Sequence, residues 1–150
     1  MNAPNRISPA DTIDRLIQLY AGIAILMAAK FAVSAAMVVV QGPILGLLDK
    51  AELTLTTLAV VLALSLLLFH WRKLPTEQRE AYLKGEGFVP EALRRAAIKA
   101  FFLSFLLMSF MPPISTRFPV EYDAQFFLNV SLSFMLVTLA TTFFLHIRKT

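Results

Sequence analysis

Four apolar runs, separated by short polar segments, constrain this chain more than any other feature. They lie near Leu16–Val40, Leu53–Trp71, Ala96–Met111 and Phe126–His146, and they fill most of the 150 residues. The chain is 57% hydrophobic and 16% charged, whereas soluble domains are about 45–50% apolar and about 25% charged. An apolar helix of about 20 residues spans the hydrocarbon core of a bilayer. The runs therefore predict an integral membrane protein with no separate soluble domain.

The lipid environment of the predicted spans determines the fold class. Lipid offers no hydrogen-bond partners, so each spanning segment must pair its own backbone groups, as a helix does. We predict an all-α fold, a bundle of four transmembrane helices that forms a single domain over residues 1–150. The expected spans are about 13–41, 52–71, 94–112 and 123–146, with a loop at about 72–93.

Local signals set the helix ends. Ser8-Pro9-Ala10-Asp11 predicts a helix start, with a capping serine, a proline at the first helical position and an early acid. The first apolar run is far longer than that of a signal peptide, so we expect a retained span. We predict a short turn over Gln41–Glu52. Pro90 should open the third helix, which should stop before Pro112 and Pro113.

The polar stretch Arg72–Lys99 predicts the orientation of the spans. Its cations are Arg72, Lys73, Arg79, Lys84, Arg94, Arg95 and Lys99. Basic residues that flank spans stay on the cytoplasmic side. With both termini cytoplasmic, the loops on the other side carry only Lys50 and Arg117 as cations. We therefore predict a multi-pass protein with its N and C termini inside.

Composition also narrows the chemistry. The chain has no cysteine, which excludes disulfides and thiolate chemistry. The net charge of +4 is explained by the cytoplasmic flanks, so we expect no nucleic-acid partner. The sequence shows no paired carboxylates in an apolar run, no glycine-rich phosphate loop and no catalytic triad pattern. We expect no catalytic residue, no cofactor and no metal, and hence a protein that is not an enzyme.

Lys30 is the one ionisable group near the middle of a predicted span. A lysine at the centre of a span costs roughly 2.5–3.5 kcal/mol on insertion scales, so it should face protein or water. Its depth suggests Asn129 and Ser131 as partners, and these three form a candidate intramembrane polar site. Alternatively, Lys30 is a structural lysine that extends towards the interface, or it contacts another subunit.

The first span also carries small residues at four-residue spacing, a pattern that lets helices approach closely in lipid. This predicted helix-packing ridge consists of Ala24, Ala28, Ala32 and Ala36. It lies opposite Lys30. If Lys30 faces the bundle, the ridge faces another copy or a partner; if the ridge is inside, Lys30 needs a partner protein. In a third arrangement, both faces pack on different helices of one bundle.

Two histidines end the second and fourth spans in similar phrases, His70-Trp-Arg-Lys and His146-Ile-Arg-Lys. A facing pair could ligate a b-type haem. Interfacial histidines beside basic anchors are far commoner, and we predict that role.

The loop before the third span carries one further signal. Residues 85–96 read Gly-Glu-Gly-Phe-Val-Pro-Glu-Ala-Leu-Arg-Arg-Ala. This resembles the Gly-Glu-x-Phe-Thr-x-Glu-x-x-x-Arg-Leu loop of domain-of-unknown-function family 2975, whose bacterial members look similar in length and four-span layout. The chain departs from that pattern at Val89 and Ala96. The resemblance implies a protein of the bacterial inner (cytoplasmic) membrane, with no assigned chemistry.

These signals lead to an expected function. We expect an accessory or regulatory protein that lies in the lipid bilayer and acts through a membrane protein partner or a second copy of itself. The candidate partner surface is Phe88 with Arg94 and Arg95. The alternative is a small transporter or channel subunit that uses Lys30.

Overall fold

The computed structural model describes residues 9–73, 88–115 and 123–148, and its elements in these ranges are α-helices. They are α1 (Pro9–Val39), α2 (Leu45–Lys73), α3 (Phe88–Ser115) and α4 (Ala124–Arg148). The prediction of an all-helical fold is confirmed. The predicted loop at 72–93 lies largely outside the described residues.

Three of these helices are long and apolar enough to cross a membrane. The qualifying stretches are Asp14–Val39, Leu45–Leu68 and Ala124–Arg148, with mean hydropathies of 2.1, 2.1 and 1.8. The third helix differs because its first half carries Arg94, Arg95 and Lys99. Its uninterrupted apolar stretch is correspondingly shorter.

The helices pack in the order α2, α1, α4, α3. The first helix lies against both α2 and α4, whereas α3 packs on α4 and only touches α1. One apolar cluster joins the start of α1, the start of α3 and the end of α4; its buried members are Ile17, Ala21, Val89, Ala92, Ala96 and Phe143. These three helix ends therefore lie together at one end of the molecule, which we call the basic end because its described helix ends carry Arg15, Arg94, Arg95, Lys99 and Arg148.

The turn between α1 and α2 is shorter than predicted. Gly42 has a φ of 92°, a left-handed conformation that glycine adopts without steric cost. The Leu45 amide donates to the Gly42 carbonyl at 3.1 Å, and α2 begins there. The predicted turn over Gln41–Glu52 is therefore wrong from Leu45 onwards, where the chain is already helical. Glu52 lies inside α2, about 10 Å beyond its first residue by the helical rise.

The third helix continues through Pro112 and Pro113 to Ser115, so the predicted stop before the prolines is wrong. Proline's fixed φ is compatible with helical geometry. Because the two prolines have no backbone N–H, the carbonyls of Met108 and Ser109 lack their usual helical hydrogen bonds. This loss is confined to the last turns of α3.

The alanine ridge on α1 is only partly an interface. Ala24 and Ala28 are buried and Ala36 is half-buried, but Ala32 is exposed. A four-residue step advances about 400° around the helix, so such a ridge turns by about 40° per step away from a straight neighbour. The buried line instead continues from Ala28 to Ala35, seven residues on.

A second line of small residues on α3 packs in the interior. Its buried members after Val89 are Ala92, Ala96, Ala100 and Ser104. Because α3 packs mainly on α4, this line forms the close contact between those two helices.

Candidate intramembrane polar site

Lys30 forms an ion pair with Glu52 across the α1–α2 interface. The Nζ atom of Lys30 lies 3.0 Å from Oε1 of Glu52. The Lys30 and Glu52 side chains are 21% and 26% exposed. The pair joins a residue about 14 Å before the end of α1 to one about 10 Å into α2, so both belong to candidate spans. A charge at this depth is tolerated when an opposite charge neutralises it.

Three further contacts support this pair. Ser34 is one turn beyond Lys30, and its hydroxyl donates to Oε1 of Glu52 at 2.6 Å. The same hydroxyl lies 3.0 Å from the Lys30 carbonyl oxygen. The Lys30 ammonium also lies 4.7 Å from the centroid of the Phe31 ring, within the range of a cation–π contact. The result is a small polar cluster, Lys30–Ser34–Glu52, between two apolar helices.

The predicted partners of Lys30 are therefore wrong. Asn129 and Ser131 are buried on α4, whereas Lys30 faces α2. Lys30 does lie at about the same depth as this part of α4. The Ser133 hydroxyl, one turn from Asn129, donates to the carbonyl of Ala28, two residues before Lys30, at 2.9 Å. The error lies in the face, because Lys30 and Ala28 are about 200° apart around α1. Both faces of α1 pack within one chain, which was the third arrangement considered.

Two buried hydroxyls lie in the packed helices α3 and α4. Ser104 and Ser131 are 6% and 5% exposed, and neither Oγ finds a hydrogen-bond partner among the described residues. A buried polar group without a partner costs about 1–3 kcal/mol. The candidate site residue Ser131 therefore lies in a helix interface, apart from the Lys30 pair.

The first turns of α3 carry a fixed cluster of charges. Glu91 accepts from Arg95 Nε at 2.8 Å and pairs with Arg94 Nε at 2.9 Å. These hydrogen bonds hold the pKa of the Glu91 carboxyl below its ordinary value near 4.5, and the bond from Arg95 has the larger effect. The arginine side chains remain 72% and 63% exposed, and Phe88 is 51% exposed. The predicted partner surface is thus accessible in the described chain.

The histidines do not form a described site. His146 lies in the last turn of α4, where its Nδ1 is 2.9 Å from the Thr142 carbonyl oxygen. The side chain of His70 lies outside the described residues. Among the residues that were described, no group of three metal-binding side chains occurs.

Sequence reasoning missed Glu52 because it placed the start of α2 too late. The available signal was the Gly42-Pro43 turn, followed at once by Ile44, Leu45, Leu47 and Leu48. A helix that starts at Leu45 brings Glu52 to the depth of Lys30. It also missed the line of Ala92, Ala96 and Ala100, which has the same spacing as the predicted ridge.

These observations define a class: an all-helical chain with three helices suited to a bilayer and a paired charge between two of them. Comparison with protein-family models, curated proteins and solved structures finds no match for this chain. The resemblance of the loop to the bacterial four-span family stays a prediction.

Proposed function

We propose that this chain is a non-enzymatic accessory or regulatory protein of a bacterial inner membrane that acts through a protein partner. The observation that carries the proposal is the exposed side chain of Phe88 on the same helix start as Arg94 and Arg95, two arginines that Glu91 holds in place. Aromatic and arginine side chains are the residue types enriched at binding hot spots. Their attachment to a packed helix start reduces the entropy that a partner must overcome.

The proposed topology has four spans with both termini cytoplasmic. The apolar part of α3 after Lys99 would cross as the fourth span, with its basic first turns at the inner interface. The clustering of Arg15, Arg94, Arg95 and Arg148 at one end of the molecule supports this orientation. The other end carries Asp49, Lys50 and Asp123, which favours the outer side.

The partner surface is tested by comparing two exposed phenylalanines on α3. Full-length chain would be isolated from native membranes after crosslinking, and the copurifying proteins quantified. We expect a specific stoichiometric partner whose recovery falls about tenfold or more with Phe88→Ala, since aromatic hot spots contribute about 2 kcal/mol or more. The matched control is Phe110→Ala, which removes an exposed ring more than 20 residues further along the helix. Equal loss with both variants, or no specific partner, would reject the proposal.

A second candidate function is a small transporter or channel subunit. The Lys30–Glu52 pair favours it, because ionisable residues inside membranes often mark substrate or proton pathways. Purified protein in liposomes would then show solute- or ion-dependent flux that Lys30→Met abolishes and Lys50→Gln preserves. Unaltered flux with Lys30→Met would remove Lys30 from the pathway.

A further inference from the structure

The outward flank of α3 changes from basic to apolar along its length. Arg95 and Lys99 are exposed, and so are Phe102 and Phe105 beyond them. The helix packs on α4 and touches α1, so this flank is not covered by other helices of the described chain. A surface that is cationic for two turns and then aromatic has the same polarity order as a phospholipid.

The spacing brings these side chains onto one line. Positions i, i+4 and i+7 of a helix lie on the same face, so Arg95, Lys99 and Phe102 are aligned. Lys99 lies about 6 Å and Phe102 about 10 Å beyond Arg95 along the axis. A phosphate held between the two cations would therefore leave its acyl chains beside the aromatic rings.

The neighbouring charges favour an anion at this place. Among the described residues, Glu91 is the acid that contacts these cations, and it fixes the Arg94 and Arg95 side chains without neutralising Lys99. Elements packed near the start of α3 add exposed Arg148 on α4, and Asp14 and exposed Arg15 on α1. The sum of these groups is positive. Each lysine or arginine near an anionic surface strengthens binding by roughly fivefold.

We propose that one phospholipid with an anionic headgroup binds along this flank of α3. Its phosphate lies between Arg95 and Lys99, with Arg94 beside it, and its acyl chains lie along Phe102 and Phe105. This rests on the proposed crossing of α3 at the membrane. The site explains why Arg95 and Lys99 both lie within the two turns before Phe102, at the headgroup depth of the proposed crossing. Phe88 lies about 10 Å further towards the basic end, where a protein partner can reach it.

The test measures lipid retained by full-length protein in mild detergent with an equal mixture of phosphatidylglycerol and phosphatidylcholine, using native mass spectrometry. We expect one phosphatidylglycerol per chain to be retained preferentially. The variant Arg95→Gln/Lys99→Gln should reduce this preference by about tenfold or more. The control Arg15→Gln/Arg148→Gln removes the same charge from the same end but outside the proposed phosphate contact, so it should reduce the preference clearly less than the test variant does. The charge-preserving variant Arg95→Lys/Lys99→Arg should keep the preference.

Three results would overturn the proposal. Equal losses in the test and control variants would show diffuse attraction to the basic end. Competition by inorganic phosphate at millimolar concentration would show a site for a free anion. An unchanged lipid preference, with loss of a copurifying protein in the Arg95/Lys99 variant, would assign the surface to that protein. None of these readouts depends on the membrane crossing itself, which labelling of the helix ends tests separately.

Discussion

The ammonium of Lys30 and the carboxylate of Glu52 lie 3.0 Å apart and join α1 to α2. Most of α2 is exposed, and Ala59 is its one buried residue among those whose side chains are described. The ion pair is therefore a principal specific contact that fixes this helix against its neighbour.

The first prediction concerns this pair. Lys30→Met leaves the Glu52 carboxylate unpaired, and Glu52→Leu leaves the ammonium unpaired, so each should destabilise the fold by about 1–3 kcal/mol. The double variant Lys30→Met/Glu52→Leu should be more stable than either single variant, because no charge is left without a partner. A double-mutant cycle from unfolding in mixed detergent measures the coupling. Additive effects would show that the two charges do not interact.

The second prediction separates two alanines that the sequence places on one ridge. Ala28 is 1% exposed at the contact with α4, whereas Ala32 is exposed. Ala28→Leu should therefore force α1 from α4 and cost about 1–3 kcal/mol or more. Ala32→Leu should change the stability by less than about 0.5 kcal/mol. Thermal unfolding in detergent measures both, and equal effects would contradict the packing.

The fold was largely predictable and the site was not. Hydrophobic runs long enough for a bilayer dictate helices, whatever their neighbours are. The partner of Lys30 instead depends on the turn of five residues around Gly42. Because this turn is short, α2 begins at Leu45, and Glu52 lies opposite Lys30 on α1. A few residues of error in a helix boundary moved this acid from a predicted loop into the helix. Similarly, the four-residue spacing from Ala24 to Ala36 does not show at which of these residues the contact with a straight neighbouring helix ends.

The third prediction tests the orientation. The chain has no cysteine, so single cysteines can be introduced without background. Gln41→Cys lies in the α1–α2 turn, outside both helices, and Arg148→Cys lies at the end of α4. In intact cells, an impermeant maleimide should label Gln41→Cys and should label Arg148→Cys only after the membrane is opened. The positive-inside rule gives the direction of this expectation. Labelling of both positions from the same side would contradict the proposed topology.

The fourth prediction is the pH response of the α3 start. Arg95 and Arg94 lower the pKa of Glu91, so the folded state binds this proton less tightly than the unfolded chain does. Its contribution to stability is therefore present above the unfolded pKa and is lost as the pH falls through the lower folded pKa. Native protein and Glu91→Gln should differ by a constant amount from about pH 6 to 8. The difference should shrink as the pH falls below about 5, as measured by hydrogen exchange of the first turns of α3. A difference that persists in full at pH 2 would contradict the assignment.

The fifth prediction contrasts two serines on opposite faces of α4. The Ser133 hydroxyl donates to the Ala28 carbonyl, whereas the Ser131 hydroxyl is buried without a described partner. Ser133→Ala should cost about 0.6 kcal/mol, the average for a hydrogen bond between membrane helices. Ser131→Ala removes a polar atom that has no hydrogen bond to another described residue, so it should be neutral or stabilising by up to about 1 kcal/mol. Unfolding of both variants in the same detergent compares them directly. A larger loss for Ser131→Ala than for Ser133→Ala would mean that the Ser131 hydroxyl makes a hydrogen bond, to a water or to another group, and would contradict its assignment as unpartnered.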